Sequence, residues 1–168
     1  NMIAIVKKRP RLLGLKQALD AFIDHQKEVI TRRSQFDLDH AKSELHIVEG
    51  LIKCLSILDE VIRVIRASKN KADAKENLVK EFDFSFEQAE AIVTLQLYRL
   101  TNTDVVELEE RMATLRKIIE GLTAILGNEE VLKKVMKDEL RKVRNEYALP
   151  RLTEIKDEIT EIKIDTTV

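Results

Sequence analysis

Tryptophan is absent, and the 168 residues hold one cysteine, two prolines, four glycines, two tyrosines and five phenylalanines. The single cysteine, Cys54, excludes an intrachain disulfide framework and fits a reducing compartment. So few glycines leave no glycine-rich phosphate loop, no G-x-x-x-x-G-K motif and no G-x-S-x-G nucleophile elbow. The scarcity of aromatics speaks against a sheet-rich fold and against a stacking platform for single-stranded nucleic acid. No apolar run approaches the roughly 18 residues of a membrane span, and no signal peptide is visible, so membrane insertion is not expected. The formal net charge is -1, which gives no global pull toward nucleic acid or anionic lipid. What is abundant is charge: 35% of residues are Asp, Glu, Lys or Arg, the composition of long helices with solvated faces. The opening Asn1-Met2 and the absence of a natural stop read as an excised piece of a longer protein.

Periodicity then divides the chain. Met2-Ile3-Ala4-Ile5-Val6 is a β-branched run that reads as one strand, with Lys7-Lys8-Arg9-Pro10 as the turn after it. Its sheet partners are expected outside the chain, so 1–14 is taken as a strand and turn left from a preceding domain. From Leu15, a heptad seam runs through Leu19, Phe22, Gln26, Val29, Arg33 and Phe36. The phase slips after Ser34, and a second seam continues through Leu38, Ala41, Leu45, Val48, Ile52 and Leu55. A slip of this kind predicts a bend or a change of packing partner. Residues 15–67 are therefore the outgoing helix or helices, with Leu38 to Ala67 as one continuous stretch. Gly50 inside it marks close packing or a kink.

Ser68-Lys69-Asn70-Lys71 breaks the pattern and opens a knob over 68–103. One helix is expected from Ala72 to Phe82. A second follows the capping box Ser85-Phe86-Glu87-Gln88 and runs to about Arg99. Asp104 to Leu126 is a returning helix with a seam through Leu108, Met112, Leu115, Ile119, Leu122 and Leu126. Gly127-Asn128 ends it, and Asn128 caps a further helix from Glu129 to Tyr147. Residues 104–147 thus form the return, and 148–168 leave as an extended segment. Each seam needs a partner, and the nearest is the other, running antiparallel. The fold class is all-α: a long antiparallel coiled-coil arm capped by a small helical dimerisation knob.

The knob carries a further signal. Ala89, Ala91, Ile92, Val93, Leu95, Leu97, Tyr98 and Leu100 cover more of their helix than one core-facing stripe needs. One side is read as a partner surface, most simply a twofold contact with a second copy. The alternative is a helix fully enclosed in the knob.

No catalytic constellation is found. His25, His40 and His46 form no H-E-x-x-H pair and do not cluster with Cys54. His46 and Glu49, three residues apart, are a weak metal hint and read as an ordinary surface pair. No metal site or catalytic residue is assigned. Among the basic clusters, Lys7, Lys8, Arg9 and Arg11 are the best candidates for duplex DNA contact.

Several stretches together resemble a known family. They include Arg9-Pro10-Arg11, His25-Gln26-Lys27-Glu28-Val29-Ile30-Thr31-Arg32-Arg33 and His46-Ile47-Val48-Glu49-Gly50-Leu51. Further on stand Gln88-Ala89-Glu90-Ala91-Ile92, Leu97-Tyr98-Arg99-Leu100-Thr101 and Arg151-Leu152-Thr153-Glu154-Ile155. In order and spacing they resemble the A subunit of bacterial type IIA DNA topoisomerases, the gyrase and topoisomerase IV family. Leu100-Thr101-Asn102-Thr103 looks more like topoisomerase IV of Gram-positive bacteria than gyrase.

The resemblance implies the coiled-coil arm and the C-gate, the exit through which a transported duplex leaves during an ATP-dependent change of DNA topology. It implies a homodimer contact at Ala89, Ile92, Val93, Gln96, Leu97, Leu100 and Thr101. It also implies an A2B2 parent enzyme in the bacterial cytoplasm. The catalytic tyrosine lies upstream, and Mg2+ and ATP belong to the B subunit, so no cofactor and no cleavage activity are expected here. Flexing is expected where the seams break, at Ser34, Ser68 and Gly127. Two competing readings are a coiled-coil dimerisation spacer without gating and a DNA-contacting module built on the Lys7–Arg11 turn.

Overall fold

The computed structural model describes residues 2–94 and 102–155. Two short strands, β1 (Met2–Val6) and β2 (Arg9–Leu13), precede six helices. These are α1 (Leu15–Ser56), α2 (Leu58–Ala67), α3 (Lys71–Phe82), α4 (Phe86–Thr94), α5 (Asn102–Gly127) and α6 (Glu129–Tyr147). The chain is all-α apart from the opening hairpin.

That hairpin corrects the reading of a lone strand. β1 pairs antiparallel with β2, from Met2 opposite Leu13 to Val6 opposite Arg9. Lys7 and Lys8 form the two-residue turn, at φ 51° and 63°. Positive φ at both central positions matches the right-handed twist of the strands, a task usually given to Asn-Gly. Pro10 concealed the second strand, because proline cannot donate to a ladder; in a two-stranded sheet every strand is an edge and tolerates it.

α1 is 42 residues long, about 63 Å at 1.5 Å per residue. Its inward stripe runs through Ile30, Ser34, Leu38, Ala41 and Val48, all buried. In the upper arm, Ala41, Leu45, Val48 and Ile52 pack against Leu108, Met112, Leu115 and Ile119 of α5. Lower down, Ile30 shares a cluster with Ile125 of α5 and with Leu132 and Met136 of α6. As α5 advances from Leu108 to Ile125, its partners on α1 descend toward Ile30, so the two helices run antiparallel. Glu44 with Arg111 (2.6 Å) and Glu49 with Arg116 (3.0 Å) flank the seam. Such half-exposed pairs each add only a few tenths of a kcal/mol to about 1 kcal/mol.

The phase slip near Ser34 is a change of partner. α1 is unbroken there and passes from α6 below to α5 above. The lower seam is corrected, however. Leu15, Leu19, Phe22, Val29 and Phe36 are exposed, and the buried residues are Ile30 and Ser34, one position out of phase. α5 ends at Gly127, level with Ile30, so nothing among the described residues covers the first turns of α1. α6 closes this end: Asn128 accepts from the Glu130 N–H at 2.9 Å. Lys27 pairs with Glu129 (3.0 Å) and Arg33 with Glu139 (2.5 Å).

The expected continuous helix from Leu38 to Ala67 is also corrected. It breaks at Ile57, where φ -126° and ψ 32° leave the helical region and the Ile57 N–H reaches Cys54 O at 3.2 Å. The Ser56 hydroxyl donates to Lys53 O at 2.7 Å, a local bond that competes with helix continuation. Asp59 and Glu60 then sit in the first turn of α2, where the helix dipole favours acids. Residues 148–155 form neither helix nor strand. The remainder of the expected exit segment, 156–168, lies outside the described residues.

The knob is the end of α1 with α2, α3 and α4. Cys54, Val61, Val64, Leu78, Phe84, Ala89 and Ile92 form its core. Burial pushes the Cys54 thiol up to about 11, which leaves it protonated and unreactive at neutral pH. Asn70 caps α3 by accepting from Asp73 N–H (2.9 Å), and the Asp73 carboxylate accepts from Lys69 N–H (2.8 Å).

Candidate functional site

α4 is the element that sequence and resemblance both single out. Ser85 Oγ accepts from the Gln88 N–H and Gln88 Oε1 from the Ser85 N–H, each at 3.1 Å, so the expected capping box is formed. This fixes the start of the helix and with it the directions of the side chains that follow.

Ala89 and Ile92 have no exposed surface and belong to the knob's own core. Neither offers area to a second chain in this arrangement, because both are spent on Leu78, Phe84 and Cys54. Val93 is half-buried at the edge of the same core. Gln96, Leu97, Leu100 and Thr101 lie outside the described residues. One outward residue was not anticipated: Phe86, in the first turn of α4, is 58% exposed. Its ring lies 4.8 Å from Lys75 Nζ, a cation–π contact that keeps part of the ring occupied. The sequence signal was present, since an aromatic directly after the capping serine has no core role to play.

Beside it, Glu90 receives both Lys71 and Lys75 of α3. Lys71 Nζ is 2.7 Å from one carboxylate oxygen, and Lys75 pairs with the other. Hydrogen bonds from Lys71, then Lys75, hold the Glu90 carboxyl at about 2, below its ordinary 4.5. A depressed carboxyl contributes its stability above the ordinary value, and that contribution disappears as pH falls toward 2. Glu90→Gln is therefore expected to flatten the fall in knob stability between about pH 4.5 and pH 2, read as melting temperature against pH. An unchanged acid slope would show that the α3–α4 ion pairs carry no stability.

The other candidate residues lie at the opposite end. Lys7 and Lys8 form the exposed tip of the hairpin, and Arg9 and Arg11 follow on β2. The hairpin thus brings all four together. A shallow groove beneath them is lined by Lys7 and Arg11 but also by Asp20 and Asp24, which reduces the positive field there.

Of the expected hinge positions, Ser34 is buried inside unbroken α1. Ser68 caps α2, donating to Val64 O (2.8 Å) and accepting from Asn77 (3.0 Å). Gly127 ends α5. His46 and Glu49 turn to different partners, His46 to Ser85 and Glu49 to Arg116. Among the described residues no group of three or more His, Cys, Asp or Glu is placed to hold a metal. Nor is any described helix long and apolar enough to cross a membrane.

Comparison with known proteins adds to this geometry. The family model for the A subunit of DNA gyrase/topoisomerase IV matches residues 1–141. The chain is 54% identical over all 168 residues to the DNA topoisomerase 4 A subunit of Staphylococcus aureus, covering 21% of that protein. It is 57% identical over 166 residues, 99% of the chain, to the DNA topoisomerase 4 A subunit of Streptococcus pneumoniae serotype 4, covering 20% of it. The chain thus spans about a fifth of the length of the curated relatives it matches.

Proposed function

We propose that this chain, which belongs to the family of DNA gyrase/topoisomerase IV A subunits, is the coiled-coil arm and exit gate of a type IIA DNA topoisomerase. The parent is the A subunit of a topoisomerase IV, working on duplex DNA in the bacterial cytoplasm within an A2B2 assembly. Mg2+ and ATP reside on the B subunit, and the catalytic tyrosine lies outside this segment. The arm holds the knob away from the cutting site, and two knobs meet to keep the dimer together while the DNA gate is open.

The observation that carries this reading is architectural. A separate core of its own sits at the far end of an antiparallel helix pair, and α4 leads directly into the segment 95–101. The unenclosed Phe86 at the start of α4 supports a contact face on this side of the knob. A latch that must part briefly calls for an interface no larger than the standard ~1,600 Å².

Light scattering on the chain at tens of micromolar is expected to give a dimer, and Leu97→Asp a monomer with its helical circular dichroism retained. A wild-type monomer would overturn the latch. Unfolding by Leu97→Asp would instead favour an enclosed helix. The DNA-contacting alternative predicts salt-dependent duplex binding by this chain alone, removed by changing Lys7 and Lys8 together to Ser.

A further inference from the structure

One face of α1 grips the knob. His46, Gly50 and Lys53 follow one another by four and three residues, so they line up on one side of the helix. Each meets the α3–α4 corner. His46 Nε2 lies 2.7 Å from Ser85 Oγ, and Gln88 Nε2 donates to His46 O at 2.7 Å. One helical turn on, Gly50 lets α4 come close: a Cβ there would stand 2.6 Å from Gln88 Cγ and 2.9 Å from Gln88 Cβ. Lys53 Nζ donates to Phe82 O at 2.6 Å, satisfying a free carbonyl at the end of α3, and sits 4.8 Å from the centre of the Phe84 ring. The apolar side of the same turn, through Cys54, enters the knob core.

α5 has no comparable hold. Among the described residues the knob core and its rim draw on α1, α2, α3 and α4, and on none of α5. α5 packs instead along α1 and reaches the knob through the connection 95–101.

We infer that the knob is carried by α1 alone: the 46–50–53 face clasps it as one rigid body, while α5 is free to shift along α1 without turning the knob. Movement of the arm pair then reaches the knob through α1 only. The inference concerns the joint and stands whatever the knob binds.

Spin-label distances test it. Gln35→Cys on α1 or Thr123→Cys on α5 is paired with Lys80→Cys on the knob, and Gln35 and Thr123 are exposed. The Lys80 side chain is 72% exposed, so it too accepts a label. Buried Cys54, with its raised thiol pKa, does not take the label. The α1–knob pair is expected to give a narrow distance distribution and the α5–knob pair a broader one. Gln88→Ala is expected to widen the α1–knob distribution toward that of the α5–knob pair. Lys53→Met, which keeps the stem and loses the donor, should do so in part, and guards against a folding defect in the first variant. Equal widths in the unsubstituted chain, or an α1–knob distribution that neither variant changes, would overturn the clasp.

Discussion

Leu78→Ala is expected to cost the knob about 3 kcal/mol while the arm stays paired. Leu78 is fully enclosed at the centre of the knob core, against residues from all four of its helices. Truncation removes three heavy atoms and leaves a cavity that short, mutually braced helices cannot close. The arm should not feel it, because its two clusters share no residue with the knob core. Hydrogen exchange resolves the two regions. Amides of α2, α3 and α4 should exchange faster, and those of α1 and α5 around Ala41 and Leu115 should keep their protection. If arm and knob lose protection together, the chain is a single cooperative unit and the separation is wrong.

Leu115→Asp is expected to do the reverse, at more than about 3 kcal/mol. Leu115 is buried in the seam of α5, closed in by Ala41 and Val48. A carboxylate there would be desolvated among apolar neighbours. Glu44 and Glu49 of α1 already engage Arg111 and Arg116, the cations that flank this seam. Leu115→Met, which conserves volume, should cost less than about 1.5 kcal/mol. The check is urea unfolding of both variants followed by circular dichroism. An aspartate variant as stable as the methionine one would mean that α1 and α5 do not depend on this seam.

The upper arm was legible in the sequence because both of its helices carry uninterrupted heptads. Leu108, Met112, Leu115 and Ile119 pack as their spacing requires. Capping chemistry was equally readable: Ser85 with Gln88, and Asn128 before Glu129, both act as their residue types dictate. The lower arm misled because periodicity reports an apolar face and not its partner. Leu15, Leu19 and Phe22 form a good stripe that no described helix is long enough to reach. The hairpin was hidden by Pro10 and by a Lys-Lys turn lacking the usual glycine. The break at Ile57 had a signal, Ser56 followed by Asp59 and Glu60, overridden by the surrounding run of apolar residues. Ala89 and Ile92 stood at the right place in the chain but on the inward side of α4. A surplus of apolar residues reveals that a second face exists, and only packing tells which residues occupy it.

Gly50 is set by contact with α4, and the change of partner near Ser34 by the length of α5. Together they make the arm a ruler whose two ends are graduated independently. Seven residues added to α1 between Leu38 and Leu45, matched by seven in α5, would restore the seam and raise the knob by about 10 Å. Neither the clasp at one end nor the α6 closure at the other would be disturbed. The span enclosed by two such arms is thus adjustable in steps of a heptad, and mismatched insertions in α1 and α5 would put the seams out of register.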